Sequence, residues 1–186
     1  MSHIYQDPII WGPSTWYVIH LLTFTYDKNL ATDYQKFLHS LRYLIPCIYC
    51  KNSYNQILNQ MPCDLSSKEK FIQWGINLHN RVNAKLRKPQ RNLQNIMNHY
   101  LNPDGSIKVN NGIIFNFISL IVKTSLIREW QIINCQHLIM SLISIYPDLN
   151  KRNNFKNLKK FDKGIYWRSI KMGTMIVKGV LKKIIN

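Results

Sequence analysis

Two cysteines separated by two residues, Cys47 and Cys50 in the stretch PCIYC, have the spacing in this sequence that most directly suggests chemistry. They follow Pro46 and open a stretch with the apolar periodicity of a helix. A cysteine at a helix N-terminus lies at the positive end of the helix dipole, beside free backbone N–H groups that stabilise a thiolate. The C-x-x-C spacing also allows a disulfide to close within one helical turn. We therefore expect Cys47 to be the more exposed sulfur, with the better stabilised thiolate, and Cys50 to lie one turn deeper.

The same spacing also occurs in zinc sites, which normally need a second pair of ligands. Cys63 could supply a third ligand and His39 or His79 a fourth, but Cys63 has no close partner in the sequence. We therefore predict no metal site. Lone cysteines such as Cys63 and Cys135 are more often buried small apolar residues than redox partners.

A second group of polar residues lies in WGINLHNRVNAKLRKP, residues 74–89. On a helix, His79 and Asn83 are one turn apart and share a face. Imidazole and amide groups on a bundle helix are costly unless a polar partner meets them, so a water-facing stripe is the simplest interpretation. Together with Trp16 and His20 on another helix, however, the stripe could line a flat aromatic cofactor.

Helical periodicity, with little strand alternation, predicts an all-α fold. The expected helices are one starting near Ser14, one over 31–45, one from the cysteine pair to before Met61, one from a Ser66–Glu69 capping box to Pro89, and a short one over 91–100. Four such helices with short connections indicate an antiparallel bundle. The turn signal LNPDG marks a boundary, so we predict one domain over residues 1–103 and a helical basic accessory domain over 104–186.

The formal net charge of +16 is concentrated at the end of the chain, where residues 151–186 carry 11 Lys and Arg against 1 Asp. Such a segment can bind nucleic acid or another acidic partner through counterion release. A solvated basic face is the simpler explanation, because no nucleic-acid motif accompanies the charge. The longest apolar stretch, residues 112–122, is too short to cross a membrane, and the N-terminus lacks a secretory pattern. We therefore expect a non-secreted protein without a membrane span.

Three stretches in this order, WGPSTWYVIHLL, PCIYC and WGINLHNRVNAKLRKP, resemble the Erv/ALR family of FAD-dependent sulfhydryl oxidases. The family pattern is W-G-x-x-x-W-x-x-L-H, then P-C-x-x-C, then W-x-x-x-x-H-N-x-V-N-x-x-L-x-K-P, and the match spans about residues 11–89. The resemblance implies a four-helix bundle with a short fifth helix that binds FAD, here followed by a helical C-terminal extension. It also implies an enzyme that generates disulfide bonds in protein substrates. Electrons would pass from the C-x-x-C pair to FAD and then to O2, giving hydrogen peroxide.

The resemblance also assigns roles to individual residues. Cys50 would be the sulfur next to the flavin, and Cys47 the sulfur that exchanges with substrate thiols. The positions that match family contacts with FAD, its phosphates or its pocket are Gly12, Thr15, Trp16, His20, Tyr43, His79, Asn80, Val82, Asn83, Lys85 and Lys88.

Two features of cellular family members have no counterpart here. Ile76 and about Leu93 stand where those members have a further disulfide, and a shuttle cysteine pair on an arm is missing. In both respects the chain is similar to the viral branch. We therefore expect it in the host cytoplasm or the virion, with the mitochondrial intermembrane space as the less favoured location.

The resemblance implies a homodimer that acts on protein dithiols and O2. An acidic or nucleic-acid partner is a further expectation for residues 151–186. The alternative is a non-enzymatic helical protein for nucleic-acid binding or virion assembly, with a basic tail and a zinc site.

Overall fold

A computed structural model describes residues 7–125, 129–155 and 177–183, and these ranges are all-α, as predicted. The helices are α1 (Pro8–Phe24), α2 (Ala31–Leu44), α3 (Ile48–Gln60), α4 (Lys68–Lys85), α5 (Leu93–Tyr100), α6 (Asn111–Ser125), α7 (Glu129–Ser144) and α8 (Leu149–Asn154). A short 3-10 helix (Lys28–Leu30) precedes α2, and residues 177–183 are helical. In the described part of the chain, no helix combines the length and apolar character needed to cross a bilayer.

Helix α1 lies at the centre of the fold. Its buried side chains, from Trp11 to Phe24, occur on all its sides, because α4, α5 and α6 pack around it. Burial on every side is typical of a helix inside a core. The aromatic and imidazole groups of α1 are therefore held among neighbouring helices.

The start of α1 differs from the sequence prediction. The helix begins at Pro8 and not near Ser14, because the Asp7 carboxylate accepts a hydrogen bond from the Ile9 N–H at 2.9 Å and Pro8 suits the first helical position. Pro13, which was expected to break the helix, lies inside it. Pro13 and Ile9 are both exposed, so water can reach the Ile9 carbonyl that the proline cannot bond.

Helix α4 starts one residue later than the predicted capping box. Ser67 is the N-cap, and its hydroxyl accepts a hydrogen bond from the Lys70 N–H at 3.2 Å. Ser66 cannot fill this role because its amide and hydroxyl both donate to Asp64, at 2.9 and 2.6 Å. The error of one residue leaves the rest of the helix where it was expected.

Helices α3 and α4 run antiparallel. The Trp74 indole N–H, near the middle of α4, donates to the carbonyl of Met61 at the end of α3. The Lys85 ammonium, at the end of α4, donates to the hydroxyl of Ser53 near the start of α3, at 2.9 Å. The cysteine pair that opens α3 therefore lies toward the C-terminal end of α4.

Helices α1 and α4 are also antiparallel. Trp16 contacts His79, whereas Thr23, two turns later in α1, lies beside Gly75, one turn earlier in α4. Gly75 permits this approach, since a Cβ added there would lie 3.0 Å from Thr23 Cγ2. The first turns of α1 and α3 and the last turns of α4 consequently share one end of the bundle.

The helices after residue 103 pack on the helices before it. Helix α6 lies along α1 and α7 along α2, and the buried side chains form one hydrophobic core. The Tyr17 hydroxyl of α1 donates to the Lys108 carbonyl at 2.9 Å and accepts from the Asn110 N–H at 2.7 Å. The division into domains at residue 103 stays a prediction.

Candidate functional site

The two cysteines of PCIYC form a disulfide at the start of α3. Cys47 is the N-cap of the helix, and its sulfur accepts a hydrogen bond from the Cys50 N–H at 3.2 Å. Both cysteines are partly exposed, and Ile48 and Tyr49 between them are exposed. When the disulfide opens, the same N–H group and the helix dipole stabilise a thiolate on Cys47, so the pair is suited to reversible reduction.

His20 and His79 join α1 to α4 inside the bundle. The distance between His20 Nε2 and His79 Nδ1 is 2.8 Å. Burial lowers the pKa of His20 to about 3, and the nearby His79 adds to this effect. Burial also lowers the pKa of His79 to about 4, with contributions from the positive charges of Arg91 and Lys88. Both imidazoles are therefore neutral at pH 7. Each carries one N–H proton, and one of these two protons forms the hydrogen bond between the rings.

The surroundings of His20 determine which nitrogen carries the proton. His20 Nδ1 is buried without a hydrogen-bond partner and faces Gly75. An N–H group at that position would be an unsatisfied buried donor, which is rarer and less favourable than a bare lone pair. We therefore assign the proton to His20 Nε2, which donates to His79 Nδ1 and leaves the N–H of His79 at Nε2.

Trp16 completes an aromatic wall at this site. Its indole is parallel to the His79 ring, with 4.0 Å between the ring centroids, and Trp16 is partly exposed. Tyr100 of α5 lies behind the wall, with its ring centroid 5.7 Å from that of His20. The structure thus brings together Trp16, His20 and His79, which lie on two separate helices.

The two asparagines of α4 hold the segment that follows the helix. Asn80 donates to the Arg91 carbonyl at 2.8 Å and accepts from the Arg91 N–H at 2.7 Å. Asn83 donates to the Pro89 carbonyl at 2.8 Å. The amides therefore fix residues 86–92, which carry the exposed cations Arg87, Lys88 and Arg91.

The other α1 and α4 positions of the predicted site differ in their exposure and in their contacts. Gly12 is buried, yet a Cβ added there would meet nothing within 4 Å, so open space adjoins its Cα. The Thr15 hydroxyl donates to the carbonyl of Trp11 at 2.9 Å. Val82 is half-buried against the core, and Lys85 is exposed.

Tyr43 belongs to a different group of ring contacts from the histidine pair. Its ring contacts His39, at 5.4 Å between centroids, and Trp130 of α7, at 6.4 Å. Sequence analysis did not identify Trp130, because nothing in the local sequence links it to cysteines that lie 80 residues earlier. Only the packing of α7 on α2 brings the two regions together.

The remaining cysteines are free thiols. Burial raises the pKa of both Cys63 and Cys135 to about 12, so each stays protonated at neutral pH and is a poor nucleophile. Over the ranges that the structure describes, no three His, Cys, Asp or Glu side chains are placed to hold a metal ion.

Sequence comparisons relate this chain to a known family. Residues 13–101 match the model of the Erv1 / Alr family. The probable FAD-linked sulfhydryl oxidase R368 of Acanthamoeba polyphaga mimivirus is 35% identical over 85 residues, which cover 42% of this chain and 59% of the relative. The putative FAD-linked sulfhydryl oxidase 347L of Invertebrate iridescent virus 6 is 32% identical over 94 residues, 45% of this chain and 85% of the relative.

A cellular relative is also similar. The mitochondrial FAD-linked sulfhydryl oxidase ERV1 of Saccharomyces cerevisiae is 31% identical over 84 residues, 42% of this chain and 44% of the relative. The chain thus spans 59% of the mimivirus relative and 44% of the yeast relative. No solved structure matches it.

Proposed function

The chain belongs to the Erv1/Alr family, and from this membership we propose that it is an FAD-dependent sulfhydryl oxidase that generates disulfide bonds in protein substrates. The observation that carries the proposal is the Cys47–Cys50 disulfide at the N-terminus of α3. It lies at the same end of the bundle as the first turns of α1 and the last turns of α4. Relatives from viruses and yeast are named as FAD-linked sulfhydryl oxidases.

The residues at this end of the bundle fit FAD. Open space adjoins the buried Gly12, so a ligand can approach the backbone there. Trp16 and His79 offer flat rings, and by our tautomer assignment His79 offers an N–H donor. Lys88 and Arg91 are close enough to influence His79 electrostatically, and their charges suit a pyrophosphate.

We assign FAD binding to a set of residues on α1, on α4 and in the segment after α4. They are Gly12, Thr15, Trp16, His20, His79, Asn80, Val82, Asn83, Lys85 and Lys88. Tyr43, whose ring contacts His39 and Trp130, stays a prediction for the flavin pocket. Bound FAD supplies two-electron redox chemistry, with O2 as the final acceptor and hydrogen peroxide as the product.

The cysteine pair performs the exchange with substrate. A substrate thiolate attacks the sulfur of Cys47, the Cys47–Cys50 bond breaks, and Cys50 leaves as a thiolate. The second substrate thiolate then attacks the substrate sulfur of the mixed disulfide and releases Cys47 as a thiolate. The substrate has then lost two electrons and gained a disulfide, and the cysteine pair has gained those two electrons.

Partners and location are separate proposals. We propose a homodimer, located in the host cytoplasm or the virion, on the strength of the family resemblance and the viral relatives. A nucleic-acid or acidic partner for residues 151–186 stays a prediction, since 156–176 and 184–186 lie outside the described residues. The zinc-binding assembly protein is not favoured, because the family and the disulfide both point to redox chemistry.

Oxygen consumption by the purified protein with dithiothreitol tests the proposed function. We expect a yellow preparation with a flavin absorbance band, and we expect Cys50→Ser to abolish oxygen consumption. Cys63→Ala is the matched control, because Cys63 is a free, protonated thiol, and it should retain the activity. A colourless protein that consumes no oxygen after addition of FAD would contradict the proposal.

A further inference from the structure

Large apolar side chains are exposed around the Cys47–Cys50 disulfide. Tyr49, between the two cysteines, is 83% exposed and Ile48 is 57% exposed. Trp130 of α7 is 42% exposed. A cluster of exposed apolar groups is unfavourable in water, and a cluster beside a reactive bond indicates a surface that contacts another molecule.

Trp130 contacts one residue before the C-x-x-C motif and one residue after it. Trp130 is edge-on to Tyr43, which lies four residues before Cys47. The Lys51 ammonium, directly after Cys50, lies 5.7 Å from the centre of the Trp130 ring. Helix α7 therefore contributes an aromatic side chain that contacts residues on either side of the motif, although it lies outside the 13–101 range of the family match.

We propose that Tyr43, Ile48, Tyr49 and Trp130 form a docking surface for the segment of a substrate protein that carries the reactive cysteine. The inference rests on the proposed function, since it assigns a role to the surroundings of that same disulfide. The occupant is a substrate segment with an apolar side chain next to its cysteine and with acidic residues nearby.

The apolar preference follows from the composition of the surface. Ile48 and Tyr49 lie between the two cysteines and are exposed, so a segment whose thiolate reaches the Cys47 sulfur passes close to them. Burial of an apolar flanking residue against them removes apolar surface of both partners from water, which is favourable. Trp130 extends the contact, and tryptophan is among the residue types that most often dominate binding energy at interfaces.

The preference for acidic residues follows from the charges beside the surface. Residues 34–63 include Lys36, Arg42 and Lys51 and contain no Asp or Glu, and Glu129 precedes Trp130 on α7, so cations outnumber carboxylates in these segments. The Arg42 guanidinium donates to the amide oxygens of Asn55 and Asn59, at 3.0 and 2.7 Å, so its charge is held in place without a carboxylate. A substrate segment with Asp or Glu would therefore be attracted to this end of the bundle, and one with Lys or Arg would be repelled.

Docking would speed the thiol–disulfide exchange by positioning the substrate thiolate. The docked segment holds its thiolate near the Cys47 sulfur, which reduces the entropy lost when the new sulfur–sulfur bond forms and the Cys47–Cys50 bond breaks. The protons of the two substrate thiols pass to solvent, and the electrons pass to the cysteine pair. Dithiothreitol undergoes the same exchange without a flanking segment, so it is the reference substrate.

The test compares kcat/KM for dithiothreitol with kcat/KM for a peptide that has two cysteines, a leucine next to each and two aspartates. Matched peptides replace the leucines with serine or the aspartates with lysine. For the wild-type protein we expect the leucine–aspartate peptide to be the best of the three. Trp130→Ala should lower its kcat/KM about tenfold relative to dithiothreitol, which is the effect of one well-packed contact residue.

Two further variants separate docking from folding. Tyr49→Ser removes a side chain that is almost fully exposed, so it leaves the core intact and should also reduce the preference for the leucine peptide. Leu93→Ala is the control, because Leu93 of α5 is 46% exposed, similar to Trp130, and its truncation should leave the preference unchanged.

The outcomes distinguish the two proposals. If the wild-type protein oxidises dithiothreitol but treats the three peptides equally, the docking surface is overturned and the oxidase function stands. The docking surface is also overturned if Trp130→Ala and Tyr49→Ser change kcat/KM for peptide and dithiothreitol by the same factor. Absence of turnover with every dithiol overturns the oxidase function and the docking surface with it.

Discussion

His20 of α1 and His79 of α4 share a hydrogen bond of 2.8 Å inside the bundle, and both are neutral at pH 7. This bond lies at the level where Trp16 stacks on His79, so it fixes the orientation of a ring that we assign to the FAD site. A neutral pair also keeps the wall uncharged, which favours contact with an aromatic ligand. The arrangement leads to two predictions about protons.

The first prediction concerns stability and pH. The pKa of His20 is about 3 in the folded protein and 6.5 in the unfolded chain, so below pH 6.5 the unfolded chain binds more protons. The contribution of His20 is therefore fully present above pH 6.5 and is lost progressively as the pH falls toward 3, by at most about 1.4 kcal/mol per pH unit. His79 adds a comparable slope over a narrower range, down to about pH 4, so its total contribution is smaller. Urea unfolding between pH 7 and pH 4.5 measures this loss.

A matched pair of variants isolates the histidine contribution. His20→Leu should show a shallower decline of unfolding free energy over that range, because it has no imidazole to protonate. His39→Gln, which changes an exposed histidine, should decline like the wild type. Parallel declines in wild type and His20→Leu would show that other groups control the pH dependence.

The second prediction concerns the tautomer. Because His20 Nδ1 has no hydrogen-bond partner, both His20 and His79 should carry their proton on Nε2. Two-dimensional NMR of the 15N-labelled side chains at pH 7 measures this directly. A protonated Nδ1 on His20 would contradict the assignment and would mean that His79 is the donor.

The third prediction compares two glycines. Gly75→Ala should lower the unfolding free energy by about 1–3 kcal/mol, because its Cβ would lie 3.0 Å from the fully buried Thr23 and overpack the contact between α1 and α4. Gly12→Ala should instead raise stability without FAD by up to about 1 kcal/mol, since its Cβ meets nothing within 4 Å and alanine favours the helix.

The same pair tests the FAD site. If the space beside Gly12 accommodates part of the cofactor, Gly12→Ala should weaken FAD binding even though it stabilises the protein without FAD. Thermal unfolding with and without added FAD measures both effects. Equal stabilisation by FAD in wild type and Gly12→Ala would exclude Gly12 from the site.

The fourth prediction concerns the segment after α4. Asn80→Ala removes both hydrogen bonds to the Arg91 backbone, so residues 86–92 should open more often. Limited trypsin digestion should then cleave after Arg87 or Arg91 about fivefold to tenfold faster, corresponding to roughly 1–1.4 kcal/mol. Asn77→Ala is the control, because the Asn77 side chain accepts a hydrogen bond from Gln73 of its own helix. An unchanged cleavage rate in Asn80→Ala would show that other contacts hold the segment.

Local patterns were sufficient to predict most helices and the cysteine pair. The start of α1 was missed because the Gly12–Pro13 pair is typical of a helix break, while the Asp7 cap and Pro8 that begin the helix carry a subtler signal. The contact of Trp130 with Tyr43 depends on how α7 packs on α2. Local periodicity predicts that such helices exist but not which faces meet.

The hydrogen bonds of Asn80 and Asn83 also could not be predicted from local sequence patterns. Their positions on α4 were predicted, whereas their bonds to the backbone of Arg91 and Pro89 depend on a turn in which Arg87 adopts φ +53°. A left-handed arginine has no reliable signature in sequence, since glycine or asparagine usually occupies such positions.

The bond that Tyr17 of α1 makes to Lys108 and Asn110 bears on how the protein can be shortened. A fragment ending at residue 103 would lose the acceptor and the donor of that hydroxyl together with α6, and would present the side of the central helix to water. Phe37, whose ring adjoins Phe117, would be uncovered as well. Removing the C-terminal part would therefore expose apolar side chains of the remaining helices, and a compact fragment of that length would require polar replacements along the exposed face.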